Sequence, residues 1–282
     1  MKHIKRAALL LLALATALAF SGCKAKGKSV QAYFDAAQKR IERVDSLDAG
    51  MYMGMKMGAG GEDIDMQMQM SLLSVADPLQ TQMDINISLN GEKQTVHIFL
   101  REQAGQTQVY AGNGGTWQQV DGDTEQLDQL RKMADSMVKL DPYLNAADKF
   151  ELVGQEEING RKVVKLAGKF SAEDLSDMLS ASGMLDTMTG ADAAQAKLIY
   201  KMMGEMPVDI YLDAKTSEPV RIAMDLSGSI GNVMQKAAKL LGDAASLSCE
   251  QMEIRMDYNS FNKLESIPVP AGIEGGAGAK VA

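Results

Sequence analysis

Met-Tyr-Met-Gly-Met-Lys-Met at residues 51–57 and Met-Gln-Met-Gln-Met at residues 66–70 are two runs in which methionine returns at every second position. A period of two puts successive side chains on opposite faces of a strand, so each run reads as a β-strand with a methionine face and a polar or small face. Gly58-Ala59-Gly60-Gly61 lies between them as a turn, which makes the pair an antiparallel hairpin. The alternation continues beyond it. After a turn at Asp77-Pro78, Met83, Ile85, Ile87 and Leu89 alternate with Asp84, Asn86 and Ser88. Asn90-Gly91, a pair tolerant of positive φ, leads to Val96, Ile98 and Leu100. Val109 to Ala111, a turn at Asn113-Gly114-Gly115 and a short strand around Trp117 complete six strands. Tight turns join antiparallel neighbours, since parallel ones need long crossovers. This half of the chain is therefore a meander.

On the N-terminal side the period changes to that of a helix. Ser29 can cap it, and Val30, Tyr33, Phe34, Ala37, Ile41 and Val44 fall on one face, with an end expected near Asp45. On the C-terminal side a helix is expected over 124–140, stopped by Pro142, followed by strands at 150–155 and 162–169 around Asn159-Gly160. Ser171 then caps a helix carrying Leu175, Met178 and Leu179, with Asp174 completing an imperfect capping box. A further helix over 192–203, strands at 208–212 and 220–226, a short helix at 233–241 and a last strand at 247–258 finish the domain. That last strand puts Met252, Ile254, Met256 and Tyr258 on one face and Cys249 on the other. The expected fold class is α+β, a large curved antiparallel sheet of about eleven strands forming a half-barrel. A sheet with one apolar face must cover it, and the amphipathic helices are expected on the concave side.

The chain begins with Lys2, Lys5 and Arg6, an uncharged run from Ala7 to Phe20, and Ser21-Gly22-Cys23. This is the plan of a secretory signal, and the apolar run falls short of the ~20 residues that span a bilayer. Phe20-Ser21-Gly22-Cys23 resembles a lipobox, which implies cleavage before Cys23 and a diacylglyceryl group on that cysteine. The expected organisation is a signal peptide at 1–22, lipidated cysteine and linker at 23–28, one domain at 29–270 and a disordered tail at 271–282. The expected location is extracytoplasmic, anchored to the cell membrane by the N-terminal lipid.

Without residues 1–22, 26 Lys and Arg face 37 Asp and Glu, a net charge of −11 against −8 for the whole chain. Such acidity disfavours nucleic acid as a partner. Lys24, Lys26 and Lys28 flank the anchor where anionic headgroups attract cations. With Cys23 acylated, Cys249 has no intramolecular partner, so the core alone must hold the domain. Beyond the signal, His97 is the one histidine, and no G-x-S-x-G, H-E-x-x-H, P-loop or C-x-x-C motif occurs. The reading is therefore non-enzymatic, with no cofactor. Asp63, Asp65 and Asp84 could meet across neighbouring strands, though exposed acids on a sheet are usually just solvated.

The element order, the lipobox, the methionine-alternating strands, the Trp117 strand and the ending Ile267-Pro268-Val269-Pro270 together resemble the DUF6612 lipoproteins of Gram-positive bacteria. That resemblance implies a fold related to the LolA/LppX-like unclosed β-barrel, whose better-known relatives hold lipid or an acyl chain in the cavity. It brings no catalytic residues.

Three readings of the 21 methionines stay open. Met is unbranched and fills irregular gaps, so the stripe can be core packing. It can equally line a cavity that re-packs around apolar ligands of different shape. Thioethers also suit Cu(I), although His and Cys are not adjacent in the sequence. The reading adopted is a membrane-anchored protein binding a lipid, acyl chain or other apolar small molecule between sheet and helices. Met53, Met55, Met66, Met68, Met83 and Ile85 are the expected lining, with Leu175, Met178 and Leu179 as cover. The alternative is an envelope structural or adaptor module with a filled core.

Overall fold

The computed structural model describes residues 28–113, 115–120, 143, 146–171, 173–174, 202–241 and 247–273. Helix α1 (Val30–Ile41) precedes six strands, β1 (Ser46–Ala59), β2 (Glu62–Ala76), β3 (Leu79–Leu89), β4 (Glu92–Gln103), β5 (Gln106–Asn113) and β6 (Thr116–Val120). A 3-10 turn at Ala147–Lys149 leads into β7 (Phe150–Ile158) and β8 (Arg161–Phe170). Then come β9 (Met206–Asp213), β10 (Pro219–Asp225), helix α2 (Ser227–Leu241) and β11 (Leu247–Phe261). The strands form one 11-stranded sheet in the order β6-β5-β4-β3-β2-β1-β11-β10-β9-β8-β7. All its neighbours are antiparallel, and the curved sheet does not close. The expected α+β half-barrel of eleven strands is what the chain forms. Its first meander runs outward from β1 to the edge at β6. The chain then passes to the opposite edge at β7 and works inward until β11 pairs with β1.

Turn chemistry sets this register. Asn90-Gly91 and Asn159-Gly160 both have positive φ (51° and 89°, 50° and 77°), as a two-residue hairpin connection matched to strand twist requires. Ser29 caps α1 as expected, its hydroxyl accepting from the Ala32 N–H at 3.2 Å. Ser171 and Asp174 form the reciprocal box, with Asp174 Oδ2 accepting from the Ser171 N–H at 2.7 Å and Ser171 Oγ accepting from the Asp174 N–H at 3.3 Å.

Helix α1 ends at Ile41 rather than near Asp45. The cause lies 217 residues away in sequence. Asn262 accepts from the Asp45 N–H (2.7 Å) and the Ser46 N–H (3.2 Å) and donates to the Arg43 carbonyl (2.9 Å). These bonds draw the chain out of the helix and into β1. Another boundary that moves is that of α2, which starts at Ser227 instead of Val233. Asp225 Oδ1 accepts from the Ser227 N–H at 3.0 Å, and Ser229 donates to the Glu205 carbonyl at 2.9 Å, fixing the first turn.

The main core lies between the sheet and the helices. Phe34 and Ala37 of α1 are fully buried against Leu47, Ala49, Met70, Leu72 and Met83, and Ile230 and Val233 of α2 pack on the same cluster. Phe34, Phe150, Phe170 and Tyr143 extend it as an edge-to-face chain, with centroids 5.1, 5.6 and 6.0 Å apart. Gly168 makes room for it, because a Cβ there would sit 2.7 Å from the Phe150 ring.

The opposite face is not simply wet. Val75, Phe99 and Tyr110 are buried there with Ile267 and Ile273 of the C-terminal segment, flanked by Leu73, Trp117, Leu264 and Val269. The segment after β11 thus straps the outer side of β2–β6. It is pinned where the Ile267 N–H donates to Gln80 Oε1 at 2.8 Å and the Leu264 N–H to Ser46 Oγ at 3.0 Å. Ile273, placed in the tail by the sequence reading, is 2% exposed. Ile267→Asp should destabilise the domain by about 3 kcal/mol, since it puts an unpaired carboxylate among apolar side chains. Urea unfolding measures this. A midpoint unchanged from wild type would mean that the strap is dispensable.

Candidate functional site

The inner face is built as cross-strand rows, because paired residues in an antiparallel ladder point the same way. Nearest α1 the row is Ile98, Met83, Leu72, Ala49 and Tyr258. The next contains Ile85, Met70, Met51, Met256, Ile222, Ile210 and Leu166. A third holds Ile87, Met68, Met53, Ile254 and Met224, and a fourth Leu89, Met66, Met55 and Met252. At two residues per step, four rows cover about 20 Å of strand.

Along β1, β2 and β3 burial falls in this direction. In the first row Leu72 and Ala49 are inaccessible, and Met83 and Tyr258 are each 2% exposed. In the second, Met70 and Ile222 remain buried while Met51, Met256 and Ile85 are half-buried. Every member of the third row is half-buried. In the fourth, Leu89 is 50% exposed; Val96, which extends the second row beyond Ile85 on β4, is 41% exposed. An apolar surface thus begins as packed core under α1 and opens towards the β1–β2 and β3–β4 turns.

The six expected lining residues therefore share one face, but in two environments. Met83 and Ile85 belong to the packed end, whereas Met53, Met55, Met66 and Met68 form the half-buried band. Leu175, Met178 and Leu179 lie outside the described residues, as does Cys23. Met252, Ile254, Met224, Ile87 and Leu89, which complete the band, are not among the lining residues expected from the sequence. Their signal was present in the alternation of β3, β10 and β11, but only the register shows which rows they join.

Cys249 also belongs to this face, contrary to expectation. Gln251 pairs with Lys56, yet the next partners are Cys249 and Met57, so one residue is bulged out. Such a bulge reverses the facing of everything beyond it, and Cys249 becomes a cross-strand neighbour of a methionine. Burial pushes its thiol pKa up, so the thiol stays protonated and unreactive at neutral pH. At the closed end, Tyr258 donates to the Met256 thioether at 3.0 Å, and burial raises its pKa. Burial likewise pushes Tyr143 up to about 12. Both phenols are neutral apolar-face residues.

Polar and charged pairs gather on the outer face. His97 Nδ1 lies 2.6 Å from Asp84 Oδ1, Lys165 pairs with Asp209 at 2.7 Å, and Asp257 bridges Arg221 and Arg255 at 2.5 and 2.9 Å. Asp65 is engaged by Lys56 at 3.6 Å, and Asp84 sits opposite Ser71, so Asp63, Asp65 and Asp84 do not converge. Among the described residues no three His, Cys, Asp or Glu side chains are grouped as for a metal ion. What the inner face offers is dispersion and desolvation, with thioethers that can change shape around a guest.

Comparison with known proteins bears on the family. No curated protein matches the chain. Among solved structures, it is similar to the lipoprotein LppX of Mycobacterium tuberculosis at 14% identity, covering 84% of this chain and 97% of that one with a TM-score of 0.42. It is similar to LprF of Mycobacterium bovis at 14% identity, 86% and 97% coverage and a TM-score of 0.44. A putative outer membrane lipoprotein-sorting protein domain from Vibrio parahaemolyticus matches at 10% identity, 82% and 93% coverage and a TM-score of 0.21. The sequence profile of DUF6612, a family of unknown function, matches residues 29–277, and the chain belongs to that family.

Proposed function

We propose that this is a membrane-tethered extracytoplasmic protein that shelters an apolar ligand, a lipid or acyl chain, against its methionine face. The observation that carries the reading is the half-buried band of Met53, Met55, Met66, Met68, Met252 and Ile254. A face serving only as core would be buried along its whole length, as Met83, Leu72, Ala49 and Tyr258 of the first row are. Here about five strands of flexible apolar surface are left part-covered beside the exposed Leu89 and Val96. Each methylene group of a guest laid along it would contribute about 0.8 kcal/mol. The lipobox at Phe20–Cys23 supports the tether, which would hold the band close to a source of lipid.

Native mass spectrometry of the protein purified from membranes, followed by lipid extraction, tests the reading. A bound species in the lipid mass range is expected. Met53→Asp combined with Met68→Asp should lower its occupancy at least tenfold, because two carboxylates in the band must be desolvated when the guest binds. Circular dichroism should remain that of wild type. A ligand-free wild-type protein whose melting temperature does not move with added palmitate or phosphatidylglycerol would favour the adaptor module instead.

A further inference from the structure

We infer that a basic cleft at the C-terminal end of α1 is a docking site for the phosphate headgroups of anionic phospholipids. The cleft has a volume of about 280 Å³ and is lined by Lys39, Arg40, Arg43, Ile41, Phe261 and Asn262, with Glu218 and Pro219 across from them. The Arg40 guanidinium donates to the Thr216 carbonyl at 3.3 Å, which ties the helix end to the β9–β10 turn. Lys215 in that turn and Lys263 beside Asn262 flank the cleft in sequence.

None of these five cations has a carboxylate within ion-pair distance among the described residues, although other cations of the sheet do. The single acidic lining residue, Glu218, accepts instead from the Thr216 hydroxyl at 3.2 Å. Unneutralised positive charge is unusual in so acidic a chain. Residues 24–44 hold six basic and two acidic residues, a net +4, which leaves −15 on the rest of the 23–282 chain. Positive charge is thus concentrated in this stretch of the sequence, and the cleft lies at its C-terminal end.

The occupant follows from chemistry and position. Guanidinium and ammonium groups around a polar cleft take a phosphate, and the half-buried apolar side chains of Ile41 and Phe261 suit the glycerol and first methylenes behind it. Helix α1 is about 18 Å long, and the six residues from Cys23 to Ser29 reach about 20 Å. A bilayer holding the anchor is thus within range of the cleft. Clusters of basic residues next to a tether bind anionic leaflets in this way.

The inference extends the reading of a membrane-tethered protein, and the test keeps the two apart by removing the tether. The mature chain carrying Cys23→Ser, made without residues 1–22, is mixed at low ionic strength with phosphatidylcholine vesicles containing roughly 30% phosphatidylglycerol. Sedimentation should show binding that pure phosphatidylcholine does not support and that fades as salt is raised. Lys39→Gln and Arg43→Gln should each weaken it roughly fivefold, whereas Lys93→Gln and Lys239→Gln, remote from the cleft, should leave it unchanged. Equal losses from the remote pair, or no loss from the cleft pair, would overturn the inference. So would saturation of the cleft by millimolar inorganic phosphate, seen as shifts of the Asn262 side-chain amide resonances, with no binding to vesicles. Circular dichroism of each variant confirms the fold.

Discussion

Cells grown with an alkyne analogue of palmitate should label the wild-type protein and fail to label Cys23→Ser at all. The effect is expected to be all-or-none because stable tethering needs two acyl chains, and one sulfur would carry both. Cys249 cannot substitute. It lies more than two hundred residues downstream, half-buried on the methionine face with its thiol donating to the Gln251 carbonyl at 3.6 Å. Globomycin should cause a longer precursor to accumulate, since cleavage before Cys23 follows lipidation. Label persisting in Cys23→Ser, or a wild-type mature N-terminus without acyl mass, would remove the tether from the proposal while leaving the methionine band untouched.

Phe34→Ala should destabilise the domain by about 3–5 kcal/mol, the usual cost of truncating a fully buried aromatic. Phe34 is inaccessible, packs edge-to-face on Phe150 at 5.1 Å and is the residue through which α1 enters the core. The loss is a large part of the 5–15 kcal/mol typical of a whole domain. Chemical denaturation followed by tryptophan emission and by circular dichroism should show a lower midpoint with an unchanged slope. The helix also carries the basic cleft at its far end, so the variant should lose vesicle binding once α1 undocks. A shift below 1 kcal/mol would mean that α1 rests on the sheet without being part of its core.

The sheet was legible because its physics is local. Met51 to Met57 and Met66 to Met70 state their own period, and Asn90-Gly91 and Asn159-Gly160 announce hairpins through the φ values they permit. What escaped depended on residues distant in sequence or on a break in parity. Asn262 decides where α1 stops, and no window around Ile41 contains it. Ser227-Gly228-Ser229-Ile230-Gly231 reads as loop by propensity, yet these residues are helical, with Ile230 packed half-buried against the core. Counting alternate positions back from Met252 puts Cys249 on the wrong side, because the bulge is invisible to counting. The outer clusters had a faint signal in the doublets Leu72-Leu73 and Phe99-Leu100, where alternation lapses and both faces take an apolar residue. The shared face of Met53, Met55, Met66 and Met68 was readable from their alternation, though not the neighbours that register adds to it. Its gradient of burial was not, since that depends on where α1 and α2 come to rest.

The pairing of β1 with β11 also bears on how the protein must be made. A chain threaded outward from its N-terminus releases the first meander early, while β11 is still some two hundred residues behind. During that interval β1 has one unpaired edge and a row of bare methionines, the kind of template on which strands from other chains nucleate. The central joint cannot form until nearly the whole polypeptide has emerged, and contacts so distant in sequence form slowly. On the proposed export route the half-made sheet of this chain would need shielding at the exit, and slowing the arrival of the final strand should turn yield into aggregate.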